Sequence, residues 1–423
     1  MDSIVIRGNG PLTGKTFASG SKNAALPLLA CALLAEGTHL FENVPKLADI
    51  RTMLRLLRHI GLDASMEHNS CTLHNPGANN PEAPYELVKT MRASVLVLGP
   101  LLAKYGKAKV SLPGGCAIGA RPIDLHLKAL SAMGADISLS GGYVEASAKR
   151  LRAADFRFDT ISVTGTENIL MAASLAKGTT RIRNAAQEPE VAELVSALNK
   201  MGAKIAWEKP NELVVEGVEA LDACRHTVFA DRIEAGTLLV AAAISGGDVL
   251  VQNAQAAHLG AVIEKLREAG CEVFEEGDGL SQPQGLRLVA PSRPRPLRLQ
   301  TQEYPGFPTD MQAQLMALLS IADGDSEIVE NIFENRYMHV AELCRMGADI
   351  HVSGTRALIR GVFRLSGAPV MATDLRASAS LVLAALRAEG QTTLSRVYHL
   401  DRGYERLEEK LTQLGANIER MSS

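Results

Sequence analysis

The sequence predicts an α/β chain made of six repeated units, and three observations predict it. One pattern recurs six times: an apolar helical stretch, a strand-like run, and an amphipathic helix closing on Gly-Ala or a near variant. The closing glycines, Gly61, Gly134, Gly202, Gly270, Gly347 and Gly415, are separated by 73, 68, 68, 77 and 68 residues, which suits a supersecondary unit and is too long for a solenoid rung. Aromatic residues make up only 4% while Ala, Leu and Gly abound, a composition that fits helices packed closely on sheets.

Taken in order, a short alternating strand precedes each first helix, at residues 4–6, 72–73, 143–146, 213–215, 286–289 and 357–359. The first helices are apolar; the stretch 24–35 is the most apolar of the chain. The second helices show a 3.6-residue period, clearest in Met53, Leu54, Leu56, Leu57 and Ile60 and again at 191–198 and 407–414. Closing strands follow the glycines at 137–139, 205–207 and 350–352, giving strand, helix, strand, helix, strand in every copy. Three copies of about 70 residues make a domain near the upper end of the common range. The expected division is 20–230 for the first three-unit domain, with 1–19 and 231–423 forming the second. The strand at 4–6 has no preceding helix and is expected to pair with the last copy. The chain then crosses between domains twice, near Ser19 and Ala230, and two such crossings make a hinge beside a ligand-sized cleft.

Composition excludes several classes. A net charge of −3 supplies no bulk positive field for nucleic acid or anionic membranes, so any anion must be bound locally. The six cysteines, at 31, 71, 116, 224, 271 and 344, form no CxxC pair, which argues against a zinc site or a disulfide framework and for a reducing, cytoplasmic setting. Residues 1–6 lack the basic and apolar regions of a signal peptide. The twelve-residue stretch 24–35, with Pro27 inside, is too short for a bilayer and reads as a buried helix. No HExxH, GxSxG or EF-hand pattern occurs, so neither a metal nor a cofactor is expected. Gly10-Pro11-Leu12-Thr13-Gly14-Lys15-Thr16 imitates a phosphate-binding loop, but Asn9 stands where that loop needs its first glycine.

The first helices begin with polar groups: Ser21-Lys22-Asn23, Arg92-Ala93-Ser94, Thr166-Glu167-Asn168, Asp231-Arg232, Thr309-Asp310 and Thr373-Asp374-Leu375-Arg376. For the Ser, Thr, Asp and Asn members, capping is the simpler reading. Lys22, Arg92 and Arg376 serve no cap, because a cation at a helix N-terminus is unfavourable, and an anionic ligand would offset that. Asp310 lies in a loop stiffened by Pro305 and Pro308 and by itself reads as an N-cap. Asp401 can cap the last helix, which leaves Arg402 in an unfavourable first turn. The second copy is longer than its sisters, with 28 residues from Gly106 to Gly134 against 23 to 25 elsewhere, and the surplus falls on residues 113–121 around Cys116. Gly114, Gly115 and Gly119 predict an accessible loop there, and the nearby Arg121 would lower the thiol pKa into a range useful for acid, base or nucleophilic work. The other five cysteines are expected to be small buried apolar residues. His126 has two readings, support of the Cys116 loop and a core position.

Several runs together, Ser19 to Ala24, Met91 to Ser94, Pro113 to Asp124, Phe307 to Gln312, Phe333 to Arg336, Ala372 to Ser378 and Asp401 to Glu405, resemble the UDP-N-acetylglucosamine 1-carboxyvinyltransferase family of enolpyruvyl transferases over nearly the whole chain. The resemblance implies a two-domain inside-out α/β barrel with three units per domain, a fold shared with 5-enolpyruvylshikimate-3-phosphate synthase. It also implies transfer of the enolpyruvyl group of phosphoenolpyruvate to the 3-hydroxyl of UDP-N-acetylglucosamine, with release of phosphate, at the start of peptidoglycan synthesis. By position Cys116 would be the general acid and the target of fosfomycin, and Asp310 the base. Lys22, Asn23, Arg92, Arg121 and Arg402 would bind phosphoenolpyruvate, Lys22 and Arg402 being counted with the catalytic groups. Asn23, Arg92, Arg121, Pro122, Ile123, Asp124, Leu125, Ser162, Val163, Gly165, Asp310 and Ile332 would line the nucleotide-sugar site, and Asp374 and Arg376 its rim. The family often carries a lysine just before Ser162, where this chain reads Phe158-Asp159-Thr160-Ile161. The shikimate-pathway enzyme lacks a cysteine loop of this kind, and a noncatalytic binding homologue would have lost Cys116, Asp310 or Arg402, so both readings rank below the first.

Overall fold

The computed structural model describes residues 2–112, 123–277 and 285–422. The glycine-rich loop with Cys116, together with Arg121 and Pro122, lies outside the described residues. Two compact units emerge, one from residue 20 to 229, the other from residues before 20 together with 230 onward. Each has its own apolar core.

Each unit holds three four-stranded sheets of one pattern. In the 20–229 unit, the edge strand Asp155–Arg157 runs parallel to Thr179–Arg183, which pairs antiparallel with Glu212–Glu216, which in turn pairs antiparallel with Lys204–Lys209. One inner helix lies between the first two strands in sequence, and one outer helix precedes the closing hairpin. The inner helices Lys22–Cys31, Arg232–Ser245 and Gln312–Leu319 are buried nearly all round, as expected of helices that fill the centre of a unit. The outer helices are amphipathic: Ala48–Ile60 buries Met53, Leu54, Leu56, Leu57 and Ile60, and Pro189–Lys200 buries Val191, Leu194 and Leu198. The closing glycines end these helices with positive φ, from 89° at Gly134 to 120° at Gly61, a conformation that glycine adopts without Cβ strain. That is the physical origin of the repeat seen in the sequence.

Two details differ from expectation. Every repeat has an additional short edge strand, such as Glu82–Ala83 or Pro369–Met371, formed by parallel pairing with the strand after the inner helix. Such pieces of two to five residues have no periodicity of their own. Cys31, Cys71, Cys224 and Cys271 are buried, but Cys344 is exposed. The helix Val340–Arg345 has six residues and turns Leu343 to the core, so the next position faces outward.

The N-terminal strand Ser3–Arg7 pairs with both Gln391–Ser395 and the C-terminal Asn417–Met421, burying Ile4 and Ile6. Each crossing also leaves an edge strand in the unit from which the chain departs. Thr13–Phe17, just before the first crossing, pairs with Asp248–Gln252, which follows the inner helix Arg232–Ser245. Arg225–Thr227, just before the second, pairs with Gly37–Glu42, which follows Lys22–Cys31. Each unit therefore completes a sheet with a strand from the segment that is about to leave it. Gly20 stands at the first crossing because a Cβ there would sit 1.7 Å from the carbonyl oxygen of Asn43.

Candidate active site

In the 20–229 unit the predicted residues fall into two groups. Ser21 caps the helix Lys22–Cys31, its hydroxyl accepting from the Ala24 N–H. Lys22, the first residue of that helix, is buried with its ammonium 3.5 Å from the carboxylate of Asp49, in the first turn of the outer helix Ala48–Ile60. The cation that looked misplaced in the sequence thus faces a protein carboxylate. Asn23 beside it is half-buried.

The second group joins Arg92, the Ile123–Leu125 turn and the helix Val163–Ala173. Arg92 opens the 3₁₀ turn Arg92–Val97. Ile123 precedes the helix Asp124–Ala132, with Asp124 exposed and Leu125 half-buried. Ser162 caps Val163–Ala173 by accepting from the Gly165 N–H at 3.1 Å. Two side chains bridge these segments. Lys128 lies 3.8 Å from Asp124 and 3.0 Å from Asp159, reaching the stretch just before Ser162. His126 is buried, with Nδ1 3.0 Å from the Asn168 amide and Nε2 3.4 Å from the Thr164 hydroxyl. Burial, and then the Arg92 guanidinium, push His126 down to about 4, so it stays neutral; its core reading holds, and its reading as support of the Cys116 loop falls on residues outside the described ones. Thr166, Glu167 and Asn168 do not start the helix as the sequence suggested. Three to five residues on from Val163, they are buried in the core, where Asn168 accepts from the Gly99 N–H at 2.6 Å and donates to the Val95 carbonyl at 3.1 Å.

In the other unit the centre is Asp310, in the short 3₁₀ turn Thr309–Met311. No side chain caps this turn or the helix that follows, so the capping reading of Asp310 gives way. Arg336 donates to Asp310 Oδ1 at 2.8 Å, and Arg376 donates to Oδ2 through Nε at 3.1 Å and a terminal nitrogen at 2.9 Å. The carboxylate keeps 28% exposure while the two arginines beneath it have 4% and 1%. It is therefore presented outward on a charged, fixed base. Arg376 was expected on a rim, balancing a ligand; it is buried, 66 positions from the carboxylate that balances it. Burial opposes its charge, but Asp310, Tyr404 and Asp231 together more than offset this and its pKa lies above the ordinary arginine value. Asp374 caps the helix Leu375–Arg387 through the N–H groups of Arg376 and Ala377.

Arg402 ends the 3₁₀ segment Val397–Arg402, and two residues later the buried Tyr404 ring lies 5.4 Å beneath the Arg376 guanidinium. The Tyr404 hydroxyl meets Thr237 at 3.0 Å and Gln314 at 3.1 Å, so the strip carrying Arg402 is fixed to the base of the Asp310 cluster. Asp401 does not cap the last helix; it pairs with Arg420 at 2.6 Å. Ile332 is half-buried, its N–H donating at 2.8 Å to Glu330, a residue that sequence reasoning missed. The available signal was an acid directly after the strand Asp325–Val329, where exposed backbone N–H groups gather.

A carboxylate oriented by two guanidiniums can take a proton from an alcohol, and buried or half-buried cations can hold a phosphorylated acid. The chain matches the EPSP synthase (3-phosphoshikimate 1-carboxyvinyltransferase) family model over residues 6–411. A UDP-N-acetylglucosamine 1-carboxyvinyltransferase of Myxococcus xanthus is 61% identical over 99% of both chains, and one of an Anaeromyxobacter species is 60% identical over 99% of both. Among solved structures, the enolpyruvyl transferase NikO from Streptomyces tendae superposes with a TM-score of 0.88 at 25% identity, covering 100% of this chain and 99% of that one. EPSP synthase from Acinetobacter baumannii shares the fold, with a TM-score of 0.79 at 20% identity and complete coverage of both chains. Repeats, fold and full-length identity agree that the chain belongs to the enolpyruvyl transferases, within the family of UDP-N-acetylglucosamine 1-carboxyvinyltransferases.

Proposed function

We infer that this chain transfers the enolpyruvyl group of phosphoenolpyruvate to the 3-hydroxyl of UDP-N-acetylglucosamine with release of phosphate, the first committed step of peptidoglycan synthesis. The full-length identity to relatives named for that acceptor carries the reading. Both substrates are soluble and phosphorylated, and among the described residues no helix is long and apolar enough to cross a membrane. The reaction is assigned to the cytoplasm, where its product feeds the wall on which cell shape and division depend.

The chemistry needs an acid, a base and cations. A proton adds to the methylene carbon of phosphoenolpyruvate, making C2 electrophilic, and the sugar oxygen bonds to C2 as its own proton passes to the base. A proton then leaves the new methyl group, the double bond re-forms, and phosphate departs with the electrons of the C2–O bond. We assign the acid to Cys116, which fosfomycin would alkylate, and the base to Asp310. Lys22, Asn23, Arg92, Arg121 and Arg402 bind phosphoenolpyruvate in this reading, the guanidiniums matching carboxylate and phosphate geometry. Pro122, Ile123, Asp124, Leu125, Ser162, Val163, Gly165 and Ile332 line the sugar-nucleotide site. Lys128, bonded to Asp159, offers a cation beside the segment where the family often has a lysine.

Phosphate release is the direct test. Release with UDP-N-acetylglucosamine and none with shikimate 3-phosphate is expected; the reverse would assign the shikimate-pathway reaction, and silence with both would favour a binding role. Cys116→Ser should lose most turnover and all labelling by fosfomycin, and a fully labelled variant would remove Cys116 from its role. Asp310→Asn should leave sugar-nucleotide affinity nearly intact and slow turnover by roughly 10²-fold or more. Unchanged turnover would take Asp310 out of the mechanism.

A further inference from the structure

Glu330 follows the strand Asp325–Val329 and is buried, 2% exposed, close to the Asp310 cluster. Its two carboxylate oxygens collect four hydrogen bonds from three separate segments. Oε2 accepts from the hydroxyl of Thr309, the residue before Asp310, at 2.9 Å. Oε1 accepts from the Thr301 hydroxyl at 2.9 Å and from the backbone N–H groups of Ile332 and Phe333 at 2.8 and 3.2 Å. The Thr301 hydroxyl in turn accepts from the Asn331 N–H at 2.9 Å, closing the turn on itself.

We propose that Glu330 is a positioning residue for the transfer reaction, one that holds the Asp310 carboxylate and the Ile332 segment in a fixed mutual register. The inference rests on the reading of Asp310 as base and Ile332 as a sugar-nucleotide contact. Arg336 and Arg376 set the direction of the Asp310 carboxylate, but they act on the side chain. Glu330 acts on the backbone of the turn that carries it, through Thr309, and on the backbone that carries Ile332. A carboxylate accepts from all four at once; a carboxamide keeps one acceptor oxygen, and its N–H at the other position can be met only by a threonine hydroxyl turned round to accept. Its two oxygens serve different segments, so the two functions are separable by mutation.

Thr309→Val removes the bond on the Asp310 side alone. It is expected to lower kcat about tenfold, in line with the sensitivity of proton transfer to small misplacements, with KM for UDP-N-acetylglucosamine within about twofold. Glu330→Gln replaces charge-assisted bonds with neutral ones on both sides and forces a threonine hydroxyl to turn round, and should lower kcat and also raise that KM severalfold. Glu330→Asp, a shorter acid, should recover sugar-nucleotide KM better than Gln because both oxygens still accept. A Glu330→Gln protein that melts earlier but keeps wild-type kcat and KM would show a purely structural role and overturn the proposal, as would a Thr309→Val enzyme with unchanged kcat. If Glu330→Gln does not fold, Thr309→Val alone decides the matter. Asp310→Asn measured alongside separates the two levels: wild-type turnover there sinks the reading of Asp310, whereas a slow Asp310→Asn beside an unaffected Thr309→Val sinks only the role of Glu330.

Discussion

The two chain crossings solve one problem with different chemistry. In the 20–229 unit the Phe229 N–H donates to Glu193 at 2.9 Å; in the other, the Ser19 N–H donates to Glu234 at 2.9 Å. Both carboxylates are buried, and burial raises the pKa of each. Their partners differ. Glu234 meets the ammonium of Lys410, which also donates to the Ser19 hydroxyl at 2.7 Å. Glu193 meets His226 Nε2 at 3.2 Å, while Lys200 lies 3.2 Å from Nδ1 of the same ring. With Lys200 donating to Nδ1, Nε2 carries the ring N–H and donates to Glu193, so the crossing at Phe229 rests on a chain of hydrogen bonds and the crossing at Ser19 on an ion pair.

The largest effect is expected where charge balance is broken. Lys410→Met leaves Glu234 buried without its cation and should destabilise the protein by about 3–5 kcal/mol in denaturant unfolding. Adding Glu234→Gln to that variant should recover part of the loss, because the double change removes both charges. A Lys410→Met protein within about 1 kcal/mol of wild type would mean that the ion pair is not what holds the Ser19 side. The matched change in the other unit, His226→Leu, removes a hydrogen-bond donor and an acceptor; a loss of about 1–3 kcal/mol is expected. Equal losses at the two crossings would erase the distinction drawn between them.

The same contrast explains what the sequence could and could not reveal. Six repeats were legible because a helix end that needs positive φ writes a glycine into every copy, and because the outer helices must show one apolar face. The pairing of residues 4–6 with the last copy was legible because a strand without a helix needs a partner. Edge strands were not, since pairing in the folded unit creates them. Helix-end electrostatics identified Arg376 as anomalous but looked outward for its anion, when Asp310 lies 66 positions back in the chain. Asp401 was read as a cap from its neighbours alone, and its actual partner, Arg420, comes from the C-terminal strand. Glu330 carries no motif; its four donors converge only after three segments fold together. Local chemistry and an unpartnered strand are readable from sequence, and the identity of a distant side-chain partner is not.

The smallest and most specific effect concerns pH at the Phe229 crossing. Burial raises the Glu193 pKa, an effect moderated by the hydrogen bonds from His226 and the Phe229 N–H. A carboxyl whose pKa is higher in the folded chain than in the unfolded one binds the extra proton on folding, so its contribution to stability is complete below the unfolded pKa of about 4.3 and declines as pH rises through the folded pKa. Glu193→Gln abolishes that titration while keeping an acceptor for the Phe229 N–H. The stability of wild type relative to Glu193→Gln should therefore fall as pH is raised from about 4.3 toward neutrality. Melting both proteins at several pH values across that interval measures the difference directly. A difference that stays constant, or one that grows in favour of wild type, would mean that the hydrogen bonds from His226 and the Phe229 N–H outweigh burial at Glu193.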